Sequence, residues 1–300
     1  MPPPIWKGAE KWATIPVRLR NKMKGVRAIH VMDREADNFE LLALLMKQRL
    51  HFVIRGGAER RVRPSSVTGL ERISDRLAES DIVLKRRVRL TARSQPKNPH
   101  PMRGERDATL SLRAARVTLQ PGVHLCPPQL TLNVVEVLEL RPPPGEEPIN
   151  WVLFTSEPVG TPEEVASVVD HYRARWRIEE YLKALKTGCA IEKRQMTDFD
   201  SLKRVLALFI PIAWHLLALR SLAHATPSPP ASSVLSPVQV TVLRALAAKR
   251  RHHLAENPNV SDALLAIAAL GGHLKRNGEP GWITIGRGYD ELHSATAVWL

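Results

Sequence analysis

The sequence predicts an α/β protein with a long antiparallel section and a helical carboxyl-terminal part. Three patterns predict it. A strand, a helix and a strand follow one another between residues 26 and 55, alternating apolar segments fill 82–140, and helical spacing takes over after Thr161. The chain has 300 residues, of which 44% are hydrophobic and 25% charged. That is ordinary globular composition, long enough to bury a full core. It excludes a disordered chain, a collagen-like chain and a disulfide-stapled mini-protein. Lys and Arg number 44 against 30 Asp and Glu, a formal net charge of +14. So basic a balance points to a polyanionic partner, nucleic acid before an anionic membrane.

Residues 1–25 are rich in Pro and positive charge, and Glu10 is the only acid before Asp33. Val26–Met32 reads as a buried strand. A helix over about 37–49 carries Phe39, Leu41, Leu42, Leu45 and Met46, with Asp37 and Glu40 spaced as a capping box. His51–Arg55 is a second strand, which completes a βαβ unit. Segments 82–91, 108–119 and 129–140 alternate, separated by Pro- and Gly-rich joints at Gln95–Gly104, Gln120–Gln129 and Arg141–Pro148. They read as an antiparallel insertion. Ile149–Thr155 returns to an apolar strand. Thr161-Pro-Glu-Glu164 is a helix start with Thr as N-cap, Pro at N1 and Glu at N3, and the helix should run to about Leu185. Further helices are expected at about 200–224, 238–250 and 258–270, with a loop at 225–236 and a Gly-rich stretch at 271–288.

Val205–Leu219 is the most apolar run, interrupted by Pro211 and His215. It is shorter than the roughly 20 residues a membrane span needs, so a buried amphipathic helix is expected and no membrane partner. No signal peptide pattern is visible at the start. Cys126 and Cys189 have no paired spacing, which speaks against a zinc site or a disulfide framework and fits a reducing cytoplasm.

Two groups of residues could carry chemistry. Asp33 follows a buried strand, at the carboxyl end where α/β sheets place ligands. By itself it opens a turn as readily as it binds a metal. On the helix after Thr161, Tyr172, Arg175, Glu179 and Lys186 fall within about 60° of one another at about 100° per residue, and Lys183 extends the stripe. An acid, bases and a phenol so arranged can hold a metal and a phosphate, or simply form a solvated charged face with i,i+4 pairs.

Taken together, the DREAD pentapeptide at 33–37, the β insertion and Y-x2-R-x3-E-x6-K at 172–186 resemble the Tn-five-like transposases of the insertion-sequence-four family. Glu10-Lys-Trp12, Trp151–Pro158, Arg175–Glu180, Lys186-Thr-Gly188, Lys249-Arg-Arg251 and the tail from Leu270 to Trp282 are similar too. The resemblance covers nearly the whole chain. It implies an RNase H-like catalytic core with a DDE triad, in which Asp33 and Glu179 are catalytic and bind Mg²⁺ (or Mn²⁺). Tyr172, Arg175 and Lys186 would hold end phosphates, and Lys183, which extends the stripe, would be a further DNA-binding residue. Trp151 would stack on a flipped base during hairpin formation, and Arg55 would lie close to the active site. The implied reaction is two-metal phosphoryl transfer on double-stranded DNA, both transposon ends and target.

Lys85-Arg-Arg87 with Arg89, and Lys249, Arg250 and Arg251 with His252 and His253 beyond, are candidate backbone contacts. The resemblance divides the chain into a partial RNase H-like core at 1–55 and a β insertion at 56–148. The rest of the catalytic core, with the Glu-bearing helix, takes 149–224. A carboxyl-terminal helical domain at 225–300 would form a homodimer. The protein would be bacterial, cytoplasmic and nucleoid-associated. In one respect the sequence departs from the family. The family's first catalytic Asp lies on a strand upstream of DREAD, where only Glu10 stands here. The core is therefore expected to be incomplete and the chain a truncated transposase. The alternative is a non-catalytic DNA-binding regulator that pairs with an intact transposase.

Overall fold

The computed structural model describes residues 9–23, 25–63, 71–92, 102, 104–120 and 129–299. Most of the joints at 95–104 and 120–129, Cys126, the first eight residues and the side chains of Glu10 and Lys11 lie outside that set. The chain divides into two compact units, Met1–Arg175 and Trp176–Leu300.

The first unit is built on an eight-stranded, mostly antiparallel sheet. Its elements are α1 (Ala9–Lys22), β1 (Ile29–Met32), α2 (Phe39–Lys47), β2 (His51–Gly56), β3 (Arg61–Arg63), β4 (Glu71–Arg72), α3 (Ile73–Ala78), β5 (Ile82–Leu90), β6 (Arg106–Leu119), β7 (Leu130–Leu140), β8 (Asn150–Thr155) and α4 (Pro162–Ala174). The strand order is β1-β2-β8-β7-β6-β3-β4, with β5 also paired to β6. Only β1 and β2 run parallel, as their α2 crossover requires. The strands of the expected insertion thus continue the same sheet as β1, β2 and β8.

Period-two alternation sorts side chains cleanly between the faces. Phe52, Ile54, Leu132, Val134, Val152 and Phe154 pack with α1, α2 and α3. Val53, Val135, Val137 and Leu153 pack on the other face with Val165, Val168, Val169 and Tyr172 of α4. The capping box of α4 is formed as expected, Thr161 accepting from Glu164 N and Glu164 from the Thr161 amide. Arg86 of β5 ties α4 to the sheet through a two-pronged bond to Asp170, 2.7 and 2.8 Å. That guanidinium holds the Asp170 carboxyl below its ordinary value.

Some local expectations change. The cap of α2 is Asn38, whose Oδ1 accepts from Leu41 N; Asp37 is used elsewhere. The basic, Pro-containing stretch before Met23 forms α1, because Trp12, Ala13 and Val17 give it one apolar side against α2. The helix after Thr161 does not run unbroken to Leu185. It ends at Ala174, restarts as α5 (Trp176–Lys183) and finishes in a π turn, Ala184–Gly188. A single rotation of about 100° per residue therefore does not carry from Tyr172 to Lys186.

The second unit is helical: α5, α6 (Phe199–Ala223), α7 (Pro237–Lys249), α8 (Val260–Leu270) and α9 (Trp282–Trp299). The Gly-rich stretch becomes helix from Trp282 on, since Gly286 and Gly288 are contact points between backbones. A Cβ on them would meet Gly188 O at 2.0 Å and Ile267 O at 1.7 Å. The expected buried helix proves longer and half-exposed. α6 has 25 residues and is, among the described residues, the one helix long and apolar enough to cross a membrane by length and composition. It buries Ala213, Leu216, Leu217 and Leu219 and leaves Leu208, Ile210 and Trp214 exposed. Cys189 is a free, buried thiol that burial pushes up to about 11.

Candidate active site

Asp33 stands at the carboxyl end of β1. It is half-buried, and its Oδ1 accepts the Glu35 amide at 3.1 Å, capping a single 3₁₀ turn over Arg34–Ala36. β1 and β2 pair in register from Ile29–His51 to Met32–Ile54, so one step further Asp33 is level with Arg55. Arg55 is half-buried and reaches the Asn150 carbonyl at 3.5 Å. β8 enters at this same end, because it runs antiparallel to β2 with Val152 opposite Gly56. Trp151 therefore sits at this end too. Its ring meets Tyr172 edge-on, centroids 5.3 Å apart. Tyr172 is 6% exposed, a core ring as well as a candidate contact. Arg175 closes α4 one turn later, its amide bonded to Tyr172 O at 3.0 Å. Asp33, Arg55, Trp151 and Tyr172, 139 positions apart in sequence, are thus gathered at one end of one sheet.

The other predicted residues belong to the second unit. Glu179 is half-buried on α5. Lys183 bonds Glu180 at 2.8 Å and lies 5.3 Å from the Trp176 ring centroid. Lys186, in the π turn, pairs with Glu192 at 3.2 Å. Lys249 and Arg251 are exposed at the end of α7. Arg250 is engaged inside the unit. It donates to Ala269 O at 3.1 Å and Leu270 O at 2.7 Å, and to both Glu291 oxygens at 2.9 Å. It closes the carboxyl end of α8 and ties α7 to α9. Arg250→Ala is expected to cost about 1–2 kcal/mol in urea unfolding, mostly from the two carbonyl bonds, since exposed ion pairs contribute little. A normal unfolding midpoint combined with a shallower salt dependence of DNA binding would instead make Arg250 a phosphate contact.

On the edge strand, Arg87 pairs with Asp107 at 3.0 Å and Arg89 with Glu105 at 2.9 Å. Both arginines are well exposed, so phosphate can compete for them.

The family model of the transposase DDE domain matches residues 16–210, from within α1 to the middle of α6. The chain belongs to this family. Transposase DDE domains usually work with a divalent metal, and the donor chemistry here agrees. Asp33, at the carboxyl end of β1, offers carboxylate oxygens, which suit a hard cation such as Mg²⁺. Among the described residues no group of three or more His, Cys, Asp or Glu side chains is gathered to hold an ion. Membership in a transposase family also gives the net charge of +14 its partner, DNA.

Sequence reasoning missed Asp37 and Arg60. Asp37 was read as a helix cap, one residue from the true cap. The signal that could have separated them is Asn38 itself, an equally good capping residue directly before Phe39.

Proposed function

We propose that this chain is a cut-and-paste DNA transposase of the Tn-five-like, insertion-sequence-four kind, with an RNase H-like core that holds part of a DDE site. The observation that carries the reading is the level placement of Asp33 and Arg55 beside the Trp151–Tyr172 pair. Asp33 and Glu179 would hold Mg²⁺ or Mn²⁺, which supplies an activated water or 3′-hydroxyl and neutralises charge on the phosphoryl oxygens. Arg55 adds positive charge beside the scissile strand, and Tyr172, Arg175 and Lys186, with Lys183 beside them, would hold the end phosphates. Trp151 offers its face to an extrahelical base, braced from the edge by Tyr172. Hairpin formation and strand transfer would follow nicking at the same residues. Segment 56–148 is the insertion in this scheme, and 225–300 the dimerising part. The site of action is bacterial DNA in the cytoplasm.

Among the described residues β1 is paired on one side only, with β2, and its four residues are all half-buried. Its free edge suits one more strand. We propose that a further carboxylate, carried on a strand added at that edge, completes the triad.

The test is Mg²⁺-dependent nicking of duplex carrying transposon ends. It compares this chain alone with the chain plus an amino-terminal segment of a family member that bears an Asp on a strand. The chain alone should be silent and the mixture should nick. Asp33→Asn and Glu179→Ala should each remove about three decades of rate, several kcal/mol at about 1.36 kcal/mol per decade. Robust nicking by this chain alone would show that its own carboxylates suffice and would sink the proposed added strand. Weak, salt-sensitive DNA binding with no nicking in the mixture would favour the regulator.

A further inference from the structure

The two aspartates of the DREAD stretch are in opposite circumstances. Asp33 ends a strand with one oxygen on a local amide. Asp37 has both oxygens committed: Oδ2 accepts from Gly57 N at 2.9 Å, and Oδ1 pairs with Arg60 Nη1. The pair is largely sheltered, Asp37 15% and Arg60 21% exposed. The Arg60 guanidinium also lies 5.6 Å from the centroid of the buried Phe154 ring, and its carbonyl accepts from Ile73 N at 2.9 Å. Gly57 is two residues beyond Arg55. Asp37 therefore fastens the turn that follows Asp33 to the segment that follows Arg55.

We infer that Asp37 and Arg60 are positioning residues that hold the Asp33 carboxylate and Arg55 level at the end of the sheet, and that Asp37 is not itself a metal ligand. Charge on both partners strengthens the tie, and the Gly57 amide on the second oxygen fixes the carboxylate's orientation. This rests on reading Asp33 as a metal ligand, and the experiment separates the two.

Mn²⁺ binding to the whole chain is followed by the electron paramagnetic resonance of free Mn²⁺, with thermal unfolding recorded for every variant. Asp33→Asn should abolish saturable binding. Asp37→Asn and Arg60→Gln should each weaken it about 10-fold, the size typical for groups that orient a ligand. The double variant should be no worse than either single one, and Arg60→Lys should stay within about 2-fold of the parent. Binding that survives Asp33→Asn removes the metal reading, and this inference with it. Binding that needs Asp33 but is unchanged in folded Asp37→Asn and Arg60→Gln makes the pair merely structural and overturns the inference alone. Loss of binding in Asp37→Asn with none in Arg60→Gln makes Asp37 a ligand and also overturns it. If Asp37→Asn does not fold, Arg60→Gln against Arg60→Lys decides, and equal affinities overturn it.

Discussion

Gly288→Ala is expected to destabilise the helical unit by roughly 3 kcal/mol or more, at the upper end of what overpacking costs. The added Cβ would lie 1.7 Å from Ile267 O, 2.7 Å from Ile267 C and 3.0 Å from Gly271 N, all backbone atoms that cannot swing away. Helix propensity works in the other direction, because Ala in place of Gly in a helix is worth about 1 kcal/mol. The clash must exceed that gain and separate α8 from α9. Gly286→Ala should behave alike against Gly188 O, at 2.0 Å. Gly281 is the control. A Cβ there meets nothing within 4 Å, so Gly281→Ala should stay within about 0.5 kcal/mol of the parent. Urea unfolding reads all three. A Gly288→Ala protein as stable as Gly281→Ala would mean that the two helices are not packed backbone to backbone.

The second large effect is expected in the sheet. Glu139 on β7 is buried, its side chain 2% exposed, and accepts Arg106 Nε at 3.1 Å and Nη2 at 3.0 Å. The same carboxylate accepts the Ile149 amide at 3.0 Å, two residues before Trp151. Removing one partner of a buried pair typically costs about 3–5 kcal/mol, because the other charge stays buried. Glu146 also pairs with Arg106, so the lower figure, about 3 kcal/mol, is expected for Glu139→Ala. Replacing both members, as in Arg106→Met with Glu139→Met, should cost less than the single change, since no fully buried charge is left unpaired and Glu146, its side chain 28% exposed, can turn to water. Loss of the Ile149 bond should also loosen the start of β8 and shift the Trp151 emission. A cost under about 1 kcal/mol would show that water reaches Arg106 and that the pair is not buried in solution.

Much of the first unit was legible in residue order because alternation is a local property. Phe52-Val53-Ile54 and Val134-Val135 state which side chain faces which layer before any partner strand is known. The start of α4 was legible for the same reason, Thr161, Pro162 and Glu164 satisfying their own backbone within one turn. Asp33 as the end of a strand was legible too. Other features depend on contacts distant in sequence. α1 was not read, since Pro16 and its basic residues mask an apolar side that has meaning only against α2. α9 was not read, since Gly286 and Gly288 look like loop residues until the backbones of Gly188 and Ile267 come against them. The stripe from Tyr172 to Lys186 assumed one straight helix, and the break at Arg175 and the π turn after Lys183 are set by packing that periodicity does not record.

The sequence by itself determined the membership in the transposase DDE family and an excess of positive charge suited to DNA. These are properties of residue type and spacing. Only the tertiary structure decided which charges are committed. It gave Arg250 to the carboxyl end of α8, Arg86 to Asp170, and Arg60 to Asp37, while Arg87 and Arg89 stayed on the surface. The physical reason is that a guanidinium is held where several acceptors, or one sheltered carboxylate, converge on it, and that convergence is created by chain segments meeting in space.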